Sequence, residues 1–262
     1  MGAVREIMLN IMLSGCCGSM GRAVTAFADN RDDIKITAGI DREGRECKFP
    51  TFVSPFSFRG KVDVIIDFSS PAALPGLLEY AVSAKTPAVI ATTGLNEAHT
   101  ALIYKAAKEI PIFFSANMSL GINLLCELAK TAARVLGGTY DIEIVETHHA
   151  QKTDAPSGTA LMLADAISSE LERKPYYEYD RHLRRTKRPH DEIGIHSIRG
   201  GTAVGEHEII FAGYNETIKL SHCAQSKELF AAGAVNTAKF IQNKEPGLYG
   251  MSDMIDRKDA KK

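Results

Sequence analysis

The sequence predicts an α/β protein: a doubly wound parallel sheet followed by a second α+β domain built on a mixed sheet. Three observations carry this. Up to about residue 115, short apolar runs alternate with helical stretches. Beyond Ser119 the pattern changes to strands that alternate apolar and polar residues. The composition, 45% hydrophobic and 24% charged over 262 residues, is that of a soluble globular protein with chain enough for a sizeable core.

The runs "NIMLSG", "IKITAGI", "VDVIIDF", "PAVIAT" and "IPIFFS" are short and nearly continuous in apolar character, as strands covered on both faces must be. Between them "SMGRAVTAFADN", "PAALPGLLEYAVSA" and "NEAHTALIYKAAKE" read as helices, giving the order β-α-β-β-α-β-α-β. Pro75 must lie in the first turn of its helix or kink it. "SLGINLLCELAKTAARVLG" has apolar residues at helical spacing and ends on Gly137-Gly138. "DIEIVETHH" reads as a strand with one wet face, and "DEIGIHSIRGG", "GEHEIIFAG" and "ETIKLSHCA" as consecutive strands with glycine turns. A final helix at about 225–242 carries an apolar stretch suited to pack back on the first domain. The expected division is 1–118 with 225–262, and 119–224. The tail "DRKDAKK" is expected to fray.

A net charge of -1 gives no global bias toward nucleic acid or an anionic membrane. Five cysteines, Cys16, Cys17, Cys47, Cys126 and Cys223, have no C-x-x-C spacing, so neither a disulfide framework nor a metal site is expected; reduced thiols in the cytoplasm are. Arg5, Glu6 and Asn10 interrupt the opening apolar run, which argues against a signal peptide, and Glu6 argues against myristoylation. No run reaches the roughly 18 apolar residues of a membrane span. The basic cluster "RHLRRTKRPH" at 181–190 lacks interleaved aromatics, so a solvated loop is expected rather than a nucleic-acid site.

Gly15-Cys16-Cys17-Gly18-Ser19-Met20-Gly21 follows the first strand and opens a helix. This G-x-x-G-x-x-G run is a variant of the dinucleotide fingerprint, in which glycines let the backbone approach a pyrophosphate at a helix N-terminus. Asp41 closes the second strand and suits a ribose diol, the NAD reading; Arg42 suits a 2′-phosphate, the NADP reading. Small polar residues end two further strands, at Ala91 to Gly94 and Ser115 to Ser119, where ligands of open α/β sheets lie. The first domain is therefore expected to be of Rossmann type, binding NADH or NADPH.

"ETHHAQKTDAPSGTA", residues 146–160, carries the chemistry of the second domain. Neighbouring side chains on a strand point to opposite faces, so His148 and His149 take separate roles unless the strand ends there. Ser157-Gly158-Thr159 precedes a helical stretch and forms an anion cradle. Lys152 adds a cation able to pair a carboxylate or donate a proton, and a histidine titrates near neutral pH. Metal binding would need further convergent ligands. A Schiff-base role for Lys152 ranks lower, because a nicotinamide already supplies the electron pair. The combination suits a small anionic substrate that is reduced and then protonated. That requires the start of the helix at Ser157 to face the reducing end of the dinucleotide.

These residues resemble the signature of the dihydrodipicolinate reductases, and the likeness extends through the glycine turn, Asp41-Arg42, "ATTG", "SANMSLGIN" and "EIGIHSIRGGTAVGEHEIIFAG". The resemblance implies a Rossmann domain completed by the C-terminal helix, a central substrate domain, a homotetramer, and NAD(P)H-dependent reduction of a small cyclic dicarboxylate, 4-hydroxy-tetrahydrodipicolinate, in the diaminopimelate route to lysine. By position it implies His148 as proton donor and acceptor, Lys152 as a second donor, and His149, Gly158 and Thr159 at the substrate carboxylate. For the cofactor it implies Gly15, Cys16, Cys17, Gly18, Ser19, Met20, Asp41, Arg42, Ala91, Thr92, Thr93, Ser115, Ala116, Asn117 and Met118. The chain departs from the family pattern where Ser19 replaces a common arginine, Ala91 a glycine, and Cys223 and Lys227 the expected arginines. The competing reading is a catalytically silent NAD(P)H-binding regulator of the same fold, which predicts a damaged histidine-lysine segment; this segment is intact.

Overall fold

A computed structural model describes residues 8–255; the opening segment and the charged tail discussed above lie outside the described residues. In chain order come β1 (Leu9–Ser14), α1 (Ser19–Asp29), β2 (Ile34–Ile40), β3 (Thr51–Phe52), β4 (Val64–Asp67), α2 (Leu74–Ser83), β5 (Ala88–Ile90), α3 (Glu97–Ala106) and β6 (Pro111–Phe114). Then follow α4 (Leu120–Leu136), β7 (Asp141–His148), α5 (Gly158–Ser168), β8 (Tyr176–Glu178), β9 (Glu192–Arg199), β10 (Gly205–Gly213) and β11 (Glu216–Ala224). The chain ends with α6 (Glu228–Ile241), β12 (Gly247–Tyr249) and α7 (Met251–Ile255). Two compact units result: residues up to Met118 together with those from Lys227 onward, and Ser119–Ser226.

In the first unit the described strands form a parallel sheet in the order β12-β6-β5-β4-β1-β2-β3. Period-2 alternation explains the continuous apolar runs: Ile11 and Leu13 enter one core with α1 and α6, and Met12 between them enters the other with α2 and α3. Ala231, Ala234, Val235 and Ala238 of α6 are fully buried in the first of these cores, so the last helix does complete the sheet that the first residues begin. Pro75 lies in the first turn of α2, where its missing N–H costs nothing. Strand order reverses between β1 and β4, and Gly15 sits at the carboxyl end of β1 beside that switch point. Gly15 has φ +76°, and a Cβ there would lie 2.5 Å from the Phe68 carbonyl oxygen, so only glycine fits the turn.

The second unit pairs β11-β10-β7-β9-β8, with β10 antiparallel to both neighbours and β7, β9 and β8 parallel, a mixed sheet. Helices α4 and α5 cover one face of it. Ile122, Leu125 and Ala129 meet Leu163 and Ile167 over Ile142, Ile144, Ile195 and Phe211. The short pairings β3, β8 and β12 are absent from the sequence reading, because two- or three-residue strands carry no periodicity of their own.

Candidate active site

Alternation along β7 places Ile142, Ile144 and then Glu146 on the covered face of the sheet. Glu146 therefore occupies a core position with a carboxylate in it, which must be fully satisfied to be tolerated. Arg199, on the neighbouring strand β9, donates to Glu146 Oε2 through Nη1 at 2.8 Å and to Oε1 through Nη2 at 2.6 Å. The Ser157 amide donates to Oε1 at 3.1 Å. His148 Nδ1 lies 2.6 Å from Oε2. Burial by itself would raise the Glu146 carboxyl, but hydrogen bonds from Arg199, His148 and Ser197 and from the Ser157 amide overcome it and hold the group at about 2.

An ionised Glu146 accepts, so His148 carries a proton on Nδ1 and presents Nε2 outward. Gly205 keeps that edge open: a Cβ there would lie 3.0 Å from His148 Nε2. β7 ends at His148, while His149 lies beyond it with its amide bonded to the Ala203 carbonyl at 2.8 Å. The doublet thus straddles the strand end, and the two rings are not bound to opposite faces of one strand.

His207, cross-strand from Glu146 on β10, is buried and stacks edge-on against His148 with centroids 5.3 Å apart. Its Nε2 lies 3.0 Å from Ser157 Oγ, and its Nδ1 is buried without a partner, so the tautomer with Nε2–H donating leaves only a lone pair unpaired. Burial, reinforced by His148, pushes His207 down to about 4, which keeps it neutral at physiological pH. Ser157 Oγ accepts the Ala160 amide at 3.1 Å as the N-cap of α5. The Ser157 side chain is thus spent on structure, whereas Gly158 beside it has nothing within 4 Å of its Cα substituent position. Lys152 Nζ pairs with both oxygens of Asp154 at 2.8 and 2.9 Å, and lies partly exposed. Sequence reasoning missed Arg199, Gly205 and His207. Glu146 carries no role in the sequence reading either, although a carboxylate in the apolar phase of a strand is a signal for one.

At the glycine turn of the first unit, α1 starts from Gly18 with no side-chain cap and no acidic residue in its first turn. A Cβ on Gly21 would overlap the Gly15 and Cys16 carbonyls, so the turn is as tight as the fingerprint requires. Lys227 Nζ donates to Ser19 Oγ at 3.2 Å, placing a cation at this helix start. Asp41 follows β2 directly, buried, with its carboxylate accepting the Glu43 amide at 3.1 Å and the Arg45 guanidinium at 3.4 Å. Burial would raise Asp41, but Arg45 and the Glu43 amide outweigh it and lower the group. Arg42 projects into solvent, 92% exposed. Thr92 turns inward, donating to the buried Asp67 at 2.7 Å, and Met118 is buried in the core. Ser115 Oγ closes a turn on the Asn117 carbonyl at 2.8 Å. Of the residues implied at the ends of β5 and β6, Thr93 and Ala116 are the exposed ones.

These features fit a dinucleotide: a glycine cradle that a Cβ would fill, an uncapped helix start and an ionised carboxylate after the second strand. The same turn holds a feature the cysteine spacing did not disclose. Cys16, Cys17 and Cys47 converge, their sulfurs all within 4.8 Å of one another. Cys223 is exposed and lies 3.4 Å from Glu206. No helix among the described residues is long and apolar enough to cross a membrane.

Comparison with known proteins agrees with this reading. The chain matches the family model "Dihydrodipicolinate reductase, N-terminus" over residues 9–118 and "Dihydrodipicolinate reductase, C-terminus" over residues 121–255. It is 49% identical over 251 residues to the 4-hydroxy-tetrahydrodipicolinate reductase of Caldanaerobacter subterraneus subsp. tengcongensis, covering 96% of this chain and 100% of that one. It is 47% identical to the enzyme of the same name from Clostridium botulinum, covering 95% of this chain and 98% of the relative. The fold matches that of a dipicolinate-bound dihydrodipicolinate reductase from Paenisporosarcina sp. TG-14 with a TM-score of 0.78 at 23% identity, over 95% of this chain and all of the other. Both family models match and the chain covers 98–100% of these two relatives, so it belongs to the dihydrodipicolinate reductases, a family of pyridine-nucleotide-dependent oxidoreductases.

Proposed function

We propose that the protein reduces 4-hydroxy-tetrahydrodipicolinate to tetrahydrodipicolinate on the diaminopimelate route to lysine, acting in the cytoplasm as a homotetramer. The observation that carries this is the intact Glu146–His148–Arg199 network beside the start of α5, in a chain of this family. NADH or NADPH supplies the hydride when bound. The residues after the first strand would hold its pyrophosphate: the Gly15, Cys16 and Gly18 amides are spent on the Ile40 and Gly15 carbonyls and shape the turn, those of Cys17, Ser19 and Met20 would face the phosphates, and Lys227 adds charge at Ser19. Ala91, Thr92, Thr93 and Ser115 to Met118 offer mainly main-chain groups to the nicotinamide end, since Thr92 and Met118 turn their side chains inward.

His148 delivers and recovers the proton through Nε2, because Nδ1 is committed to Glu146. Gly158 and Thr159 open α5, where amides and helix dipole favour a carboxylate. His149 and Lys152 complete the anion site, with Lys152 exchanging Asp154 for substrate or giving up a proton. Ser157 is a positioning residue here, holding α5 and His207 in place. Mixing purified protein, NADH and the freshly made condensation product of pyruvate and aspartate semialdehyde is expected to consume the nicotinamide absorbance. Binding of NADH without turnover would instead support a silent regulator.

Lys152→Ala is expected to raise KM and lower kcat, each by about tenfold, since a charge-assisted contact and a proton donor are lost together. An unchanged rate would remove its assigned role. The ionised Asp41 suits the two ribose hydroxyls of NADH and repels a 2′-phosphate, while the solvent-directed Arg42 can still reach one. Asp41→Ala is accordingly expected to weaken NADH by roughly tenfold or more and NADPH less, read by fluorescence titration of both nucleotides side by side. For the tetramer, the face of the second sheet opposite α4 and α5 leaves Ile198 51% exposed, and its edge strand β11 leaves Ile218 38% exposed. Sedimentation is expected to give four times the chain mass, and a monomer at micromolar concentration would exclude that assembly.

A further inference from the structure

Cys47 stands 30 residues from Cys17 in the chain, yet their sulfurs lie 3.2 Å apart. Cys16 and Cys17 are 3.7 Å apart through their sulfurs, and Cys16 and Cys47 are 4.0 Å apart. The first two project from the turn after β1 and the third from the loop after β2, which runs beside β1. Gly39 makes this possible: a Cβ there would lie 2.6 Å from both Cys16 Sγ and the Phe49 ring. Three thiolates around a tetrahedral zinc ion, with Zn–S near 2.3 Å, stand about 3.8 Å from one another. The observed separations bracket that value. A disulfide would need two of the sulfurs at about 2.0 Å and would leave the third without a role.

We propose that Cys16, Cys17 and Cys47 form a binding site for one zinc ion or a similar soft divalent cation, and that filling it weakens nucleotide binding at the adjoining glycine turn. On loading, three S–H bonds ionise, three protons pass to the buffer, and each sulfur donates an electron pair to the cation without change of oxidation state. Water, or the Arg45 carbonyl whose oxygen lies 3.6 Å from Cys17 Sγ, takes the fourth position. Three neutral thiols thereby become a complex of charge -1 within the same turn that, in the function proposed above, holds a pyrophosphate. Like charges at that distance oppose each other, and linkage makes the effect reciprocal. The metal site stands on geometry alone; its effect on nucleotide rests on the cofactor reading.

Cobalt(II) is the probe for the site, added to the whole protein kept reduced by a phosphine. One equivalent per chain is expected to give thiolate-to-cobalt charge-transfer absorption and intense tetrahedral d–d bands, both bleached by one equivalent of zinc. Cys47→Ser and Cys47→Ala are expected to lose these bands, and Cys126→Ser and Cys223→Ser to keep them. Absent bands in the parent protein, or bands that survive both Cys47 substitutions, would overturn the site. NADH fluorescence titration is expected to show about tenfold weaker binding with zinc in the parent protein and no zinc effect in Cys47→Ser, whose retained NADH binding also reports its folding. Cobalt bands with an unchanged NADH affinity would overturn the coupling. Cobalt bands in a protein that binds no NADH with or without metal would overturn the cofactor reading and leave the metal site standing.

Discussion

His148→Gln is expected to lower kcat by roughly 10²–10⁴-fold while nucleotide affinity stays unchanged. Glutamine has similar reach and can still donate to Glu146, so the buried network keeps a partner at that point. What it lacks is an imidazole Nε2 able to carry a proton to and from the substrate. The neighbouring imidazole cannot substitute, because burial holds His207 at about 4 and its Nε2 is engaged with Ser157. The pair of measurements is steady-state turnover and NADH fluorescence titration. A kcat within threefold of the parent would remove His148 from proton transfer, and a parallel loss of NADH binding would show that the substitution acts on structure.

Glu146→Gln is expected to destabilise the second unit by about 3 kcal/mol, since it leaves the Arg199 charge facing a neutral amide in a buried position. For a domain of this size that corresponds to a fall in Tm of roughly 10 °C. The effect depends on pH with a definite sign. The carboxyl is held at about 2 in the folded state against an ordinary 4.5, so its contribution is complete above pH 4.5 and is lost as pH falls toward 2. The stability gap between parent and variant is therefore expected to be widest at neutral pH and to close through that acid window. Turnover should fall as well, because His148 loses the charged acceptor that fixes its tautomer and stabilises its cationic form. A gap that is constant from pH 7 to pH 3 would show that the carboxylate is not the source of the stability.

The contrast between Glu146 and the residues around it shows where sequence reading stops. The parallel sheet was legible because both of its faces are covered, which writes unbroken apolar runs into β1, β2, β4, β5 and β6. The return of α6 was legible from its small apolar residues. The histidine-lysine segment was legible because its residues are adjacent in the chain. Arg199 and His207, by contrast, meet Glu146 only through strand pairing, and pairing partners 53 and 61 positions away leave no local trace. Ser157 reads from the sequence as part of an anion cradle and Thr92 as a small polar residue at a strand end, but the fold spends both side chains on internal acceptors or caps. Cys47 reaches the glycine turn through a loop whose course no periodicity encodes.

The closing of the first unit by α6 has a consequence during synthesis. Residues 119–226 are contiguous and can collapse as soon as they leave the ribosome, whereas the sheet begun by β1 keeps one apolar face covered only in part, by α1, until Ala231 to Ile241 emerge. At the usual pace of translation that delay amounts to roughly ten seconds. Nascent chains halted before Lys227 should accordingly be held by chaperones and cut readily by protease within residues 8–118, while the later-made middle segment already resists.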